Sequence, residues 1–238
     1  MHRFANPARF NKIADAISPY LFGATVILFG LGIYYALFNS PADFQQGETV
    51  RIMYVHVPAS YMATGAYMFL ALASATFLIW KHPLAGMAAK AAAPIGLVFT
   101  ALALFTGAFW GKPMWGDWWV WDGRLTSVLV LFFLYLGYIA LWQVMEDRGK
   151  AAKASSVLAL VGVINLPIIK FSVDWWTTLH QPASIFRLEG PTIDGSMLIP
   201  LFLMMGAYTF FFATVLIWRI KAEMAERKLE TLLREKAS

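Results

Sequence analysis

Apolar residues along this chain fall into six long runs separated by short polar stretches, at about 19–38, 52–80, 91–110, 125–142, 155–169 and 196–218. About twenty helical residues cross the hydrocarbon of a bilayer. The pattern therefore predicts an all-α, polytopic membrane protein with six transmembrane helices. The fifth run is the shortest. Asn165 and Pro167 interrupt it and Lys170 ends it, which predicts a kink. A cleaved leader would have a shorter apolar core and a small-residue cleavage pattern, and none follows Phe38.

The flanks have their own patterns. Residues 1–18 carry Arg3, Arg9 and Lys12, with Phe4, Phe10, Ile13 and Ile17 spaced as one greasy stripe. That predicts a short helix lying on the membrane surface. Residues 219–238 read as a charged amphipathic helix without spanning character. Six spans put both termini on one side. Of the nineteen lysines and arginines, fourteen fall on that side, and Arg51, Lys112, Arg124, Lys170 and Arg187 on the other. The positive-inside rule makes the termini cytoplasmic and turns the loop at 111–124 outward.

Composition agrees. The chain is 59% hydrophobic and 14% charged, against about a quarter charged in soluble domains. It contains no cysteine, so disulfides, thiolate metal sites and thiol redox chemistry are excluded. The net charge of +5 belongs to dispersed orientation signals rather than to a nucleic-acid surface. The middles of the predicted spans hold no Asp, Glu, Lys or Arg. Proton relays and coupled transporters usually need such groups, so the chemistry belongs at the outer surface.

That surface has an unusual stretch, Trp115-Gly116-Asp117-Trp118-Trp119-Val120-Trp121-Asp122. Trp80, Trp142 and Trp218 sit where an inner aromatic belt belongs. The other seven tryptophans, Trp110, Trp115, Trp118, Trp119, Trp121, Trp175 and Trp176, all fall on the outer side. An anchor explains some of them; the excess asks for a large flat ligand. His2 and His82 lie on the termini's side and read as incidental. His56, just before Pro58, and His180 share the tryptophans' side. His180 is four residues past Trp176, one turn if that segment is helical, which would bring its ring near that indole.

Each histidine alone reads as an interfacial hydrogen-bonding residue. Two beside an indole cluster suit a porphyrin, whose iron takes axial imidazole and whose face suits indoles. Arg51, Lys112 and Arg124 flank the site; they are either propionate partners or ordinary snorkelling cations. Asp122 either orders the loop or holds Arg124, whereas Asp117 reads as a solvated loop residue. Gly116 and Gly123 let the loop turn tightly, and Pro113 should end any helix entering it.

These residues resemble the tryptophan-rich haem-handling family of cytochrome c maturation, in its six-span branch. The motif at 115–122 is the most specific part. Gly107 to Met114 before it also fits, as do Tyr54-Val55-His56-Val57-Pro58, Asn165 to Ile169, Asp174-Trp175-Trp176 and Leu179-His180-Gln181. The likeness covers residues 39–218 and leaves both tails unassigned. It implies haem b held outside the membrane, with His56 and His180 as axial ligands. Trp115, Gly116, Trp118, Trp119, Trp121, Asp122, Arg51, Arg124, Trp175 and Trp176 would line the site. It also implies delivery to a membrane-anchored periplasmic haem chaperone. The implied setting is a bacterial inner membrane, beside ABC-type ATPase and membrane subunits and a small single-span accessory subunit.

Two other readings use the same residues. One is a permease moving haem itself, which lacks an inner-side histidine and aromatic loading site. The other is a structural subunit anchored by tryptophans. No base, nucleophile or oxyanion arrangement is legible, so the chain reads as a haem-handling protein with at most a lyase-like outcome.

Overall fold

The computed structural model describes residues 6–180, 184–185 and 187–237. His2, Arg3, Phe4 and Gln181 lie outside the described residues. Among the described residues every extended element is a helix, joined by short irregular stretches, with no sheet. In chain order the helices are α1 Pro7–Tyr34, α2 Met53–Trp80, α3 Pro83–Trp115, α4 Gly123–Val144, α5 Arg148–Gly162, α6 Asn165–Trp175 and α7 Gly195–Ala237. A π turn, Tyr35–Asn39, ends α1, and a 3-10 turn, Glu48–Ile52, leads into α2. Taking α5 and α6 as one broken segment, six helical stretches are long and apolar enough to cross a membrane.

Three elements differ from the sequence reading. First, α1 does not break between Ser18 and Pro19. Asn6 caps it, accepting the N–H of Ala8 at 2.9 Å, and residues 7–18 extend the first span on one axis. The expected stripe splits: Phe10 packs on the core while Ile13 and Ile17 face outward. Second, α7 runs unbroken from the sixth span through the charged tail. Third, Pro113 does not stop α3, which continues to Trp115. Gly116 ends it at φ +83°, a backbone that glycine adopts freely, and its N–H reaches Lys112 O at 3.0 Å. The open loop is thus shorter than 111–124.

The predicted kink is a break. Pro167 has no N–H for the carbonyl of Val163, so Leu166 N–H takes that carbonyl at 3.0 Å and the ladder restarts as α6. Asn165, buried at the break, donates to Ser127 O on α4 at 2.8 Å.

Between spans, close approach comes from small residues meeting tyrosines. A Cβ on Gly96 would lie 2.2 Å from the Tyr135 ring, and one on Gly162 would lie 1.9 Å from the Tyr67 hydroxyl. Tyr135 donates to Ala63 O at 2.9 Å, so its buried hydroxyl is satisfied. The start of α1 meets the far part of α7 through an Asp15–Lys221 ion pair, so both termini lie at one end of the bundle. The tryptophan loop lies at the other.

Candidate functional site at the tryptophan loop

The C-terminal half of α3 is the floor of this end. Thr106, Gly107, Trp110, Gly111 and Trp115 lie on it. Gly107 leaves room for His56 from α2: a Cβ there would approach the ring to 2.9 Å. The His56 ring lies 5.6 Å from Trp110, edge-on. Trp110 in turn donates its indole N–H to Gln46 at 2.7 Å, which ties the 40–52 connection to the floor. Gly111 makes the same allowance for Trp115, whose ring a Cβ would meet at 2.9 Å.

His180 packs on Trp115, edge-on at 4.8 Å between ring centres. The expected pairing with Trp176 does not form, because α6 ends at Trp175 and residues 176–180 are not helical. Trp176 instead lies over Gly123, where a Cβ would come within 3.0 Å. Gly123 is therefore a packing residue at the start of α4, not a turn.

Asp122 holds the site together. One carboxylate oxygen accepts Leu125 N–H at 2.8 Å, capping α4. The other accepts His180 Nδ1–H at 2.7 Å and the Thr178 hydroxyl. The pairing with Arg124 that the sequence suggested is absent as a hydrogen bond among the described residues; Asp122 spends its oxygens on the helix cap and the imidazole. Burial works against the Asp122 anion. Thr178, the Leu125 N–H and His180 outweigh it, so its pKa lies below the usual carboxylate range. For His180, burial lowers the pKa by more than Asp122 raises it. The pair is a neutral imidazole donating to a carboxylate.

His56 is held the same way by a weaker partner. Its Nδ1 lies 3.1 Å from the Thr106 hydroxyl oxygen. That hydroxyl gives its own proton to Leu102 O at 2.7 Å, so the oxygen accepts from Nδ1–H. A proton on Nδ1 of each histidine satisfies these acceptors, and that tautomer puts the lone pair on Nε2, the nitrogen a metal would take. His180 and Arg124 lie within electrostatic reach of His56.

The cations separate. Arg124 is half-buried and makes no hydrogen bond or ion pair among the described residues, though the charges of Asp122 and Asp174 reach it. Arg51 pairs with Glu48 and donates to Ala36 O, so its guanidinium is already engaged. Lys112 donates to Gly116 O at 2.5 Å and lies 5.9 Å over the Trp118 ring. Several indoles stay open: Trp118 is 52% and Trp121 76% exposed, and Trp175 and Trp176 are more than half exposed. Trp119 packs 5.5 Å from Trp121 and buries an indole N–H with no partner.

This donor set fits haem: two imidazoles each held through Nδ1, a guanidinium with no hydrogen bond among the described residues, and open indole faces. The sequence reading named both histidines, the indoles and Arg124, and the structure brings them to one end. It did not name Thr106, Thr178 or Gln46, polar residues with no motif to mark them.

Comparison with known proteins agrees. The sequence profile of the family described as "Heme exporter protein C" matches residues 1–235, both tails included, a wider likeness than the 39–218 read from motifs. A protein of that name from Bradyrhizobium diazoefficiens is 51% identical over 234 residues, 98% of this chain and 89% of its own length. One from Haemophilus influenzae is 49% identical over 218 residues, 92% of this chain and 87% of its own. A "Putative cytochrome c biosynthesis ccmC-like mitochondrial protein" of Marchantia polymorpha is 50% identical over 190 residues, 80% of each chain. The chain belongs to the haem exporter protein C (CcmC) family.

Proposed function

We propose that this protein takes haem b at its tryptophan-loop end and passes it to a membrane-anchored haem chaperone on the periplasmic side, in the service of c-type cytochrome biogenesis. Haem is its cargo. The relatives' names carry the general role in haem export and cytochrome c biosynthesis. The observation that carries the local assignment is the matched preparation of His56 and His180. Each has Nδ1 spent on an acceptor, and both rings pack against residues of α3. Arg124 supplies charge for a propionate, and Trp118, Trp119 and Trp121 supply apolar faces. The count of basic residues supports a cytoplasmic position for both termini, in a bacterial inner membrane. As partners we propose the ABC-type ATPase and membrane subunits and a small single-span subunit.

The test is the spectrum of the purified full chain. Wild type should carry haem with the absorption of bis-histidine iron. The double variant His56→Ala with His180→Ala should lose haem or that signature. A wild-type spectrum in the double variant would remove axial ligation by these residues. Haem uptake by proteoliposomes holding this chain alone would instead favour a permease.

A further inference from the structure

We propose that the two haem ligands are unequal: Asp122, braced by Thr178, is a positioning residue that makes His180 the retained ligand, while His56 yields first when haem leaves. This rests on the haem reading above and adds an order to it.

The difference lies in what stands behind each imidazole. His180 donates to a buried carboxylate at 2.7 Å. That carboxylate is fixed by Leu125 N–H through one oxygen and by the Thr178 hydroxyl through the other. A charged acceptor draws the Nδ1 proton toward itself and increases the basicity of Nε2. His56 has only neutral acceptors behind it: the Thr106 hydroxyl oxygen at 3.1 Å, whose own proton is committed to Leu102, and the Ala103 backbone carbonyl. A neutral acceptor adds much less.

Attachment follows the same order. The His180 segment is not helical but is tied three ways. Its ring N–H reaches Asp122, its backbone N–H reaches Thr178 Oγ1 at 3.1 Å, and its ring packs on Trp115 at 4.8 Å. His56 sits in α2 over Gly107, edge-on to Trp110 at 5.6 Å, with no charged group bonded behind its ring. When it leaves, only the iron–Nε2 coordinate bond breaks. The electron pair stays on Nε2, and a neutral nitrogen or water donor from the acceptor side fills the position.

The test uses the haem-loaded, full-length protein in its ferrous state, with carbon monoxide as the competing ligand. The wild-type adduct should match that of His56→Ala in its resonance Raman bands and differ from that of His180→Ala. Asp122→Asn keeps an oxygen to cap α4 but loses the charge. It should lower the iron–histidine stretching frequency and weaken haem binding about ten- to hundredfold. Thr106→Val should change binding by less than about threefold, within the range of a neutral hydrogen bond. One measurement needs no haem: imidazole nitrogen shifts in the haem-free protein should show the Nδ1–H form of His180 in wild type and a mixture in Asp122→Asn. A wild-type adduct matching His180→Ala, or equal losses in Asp122→Asn and Thr106→Val, would overturn the proposed order. A wild type without a bis-histidine spectrum would overturn the haem reading itself, and this inference with it.

Discussion

The two ends of this bundle treat charge in opposite ways. Where the termini lie, Glu223 is buried and answered from three sides. Lys90 of α3 meets it at 2.6 Å, Arg227 of its own helix at 2.9 Å, and Arg148 of α5 at 3.3 Å. Arg148 also reaches Glu226 and Glu230, and Lys90 lies 4.9 Å over the Trp142 ring. At the tryptophan loop, half-buried Arg124 has no such partner among the described residues, and large indoles are left open. A buried charge is costly unless paired. The matched end is a joint that fixes α7 against α3 and α5. The unmatched end carries a cost that an anionic, apolar ligand would offset. The contrast separates structure from function within one chain.

Removing the joint should have the largest effect. Glu223→Ala leaves Lys90 and two arginines without their shared anion. The expected loss is about 2–3 kcal/mol of stability, under the range for fully buried pairs because the cations reach water. Thermal unfolding in detergent measures it. Haem content per folded molecule should not change, since none of these residues approaches the loop. A loss of haem that tracks the loss of stability would show that the two ends are coupled and erase the distinction.

The opposite change is expected at the loop. Arg124→Gln removes an unpaired, half-buried charge, so stability should hold or rise slightly. Haem affinity should fall about tenfold, roughly 1.4 kcal/mol, the scale of one charge-assisted hydrogen bond. Titration of haem into wild type and variant, beside their melting curves, reads both numbers. A fall in stability without a fall in affinity would make Arg124 structural.

Much of this contrast was legible before any coordinates. Run length gave six spans, because bilayer thickness fixes how many apolar residues a helix needs. The tryptophan motif, His56 and His180 marked the loop end, since indole and imidazole are conspicuous residue types there. Element ends were harder. Pro113 should have stopped α3, but the helix forgoes one bond, to the Phe109 carbonyl, and runs on until Gly116 sets the true end. The partners of Asp122 were also illegible. Thr178 and His180 lie more than fifty residues away, and only the packing of α6 beside α4 brings them to it. Local sequence offered two roles for it, ordering the loop or holding Arg124, and the cap on α4 is the first of these.

Arg51 sharpens the comparison at its finest point, because sequence reasoning gave it the same role as Arg124. Both are arginines on the loop side, next to apolar spans. The structure spends Arg51 on the carbonyl of Ala36 and on Glu48, joining the end of α1 to the turn before α2. The Glu48 carboxylate is mostly exposed, so that pair contributes little. The bond to Ala36 contributes more. Arg51→Gln should therefore lower stability by about 1 kcal/mol and change haem affinity by less than twofold. The same two measurements that read Arg124 apply, with the opposite pattern expected. If Arg51→Gln weakens haem as much as Arg124→Gln does, the Arg51 side chain must leave Ala36 when haem binds, and the loop end would rearrange on loading.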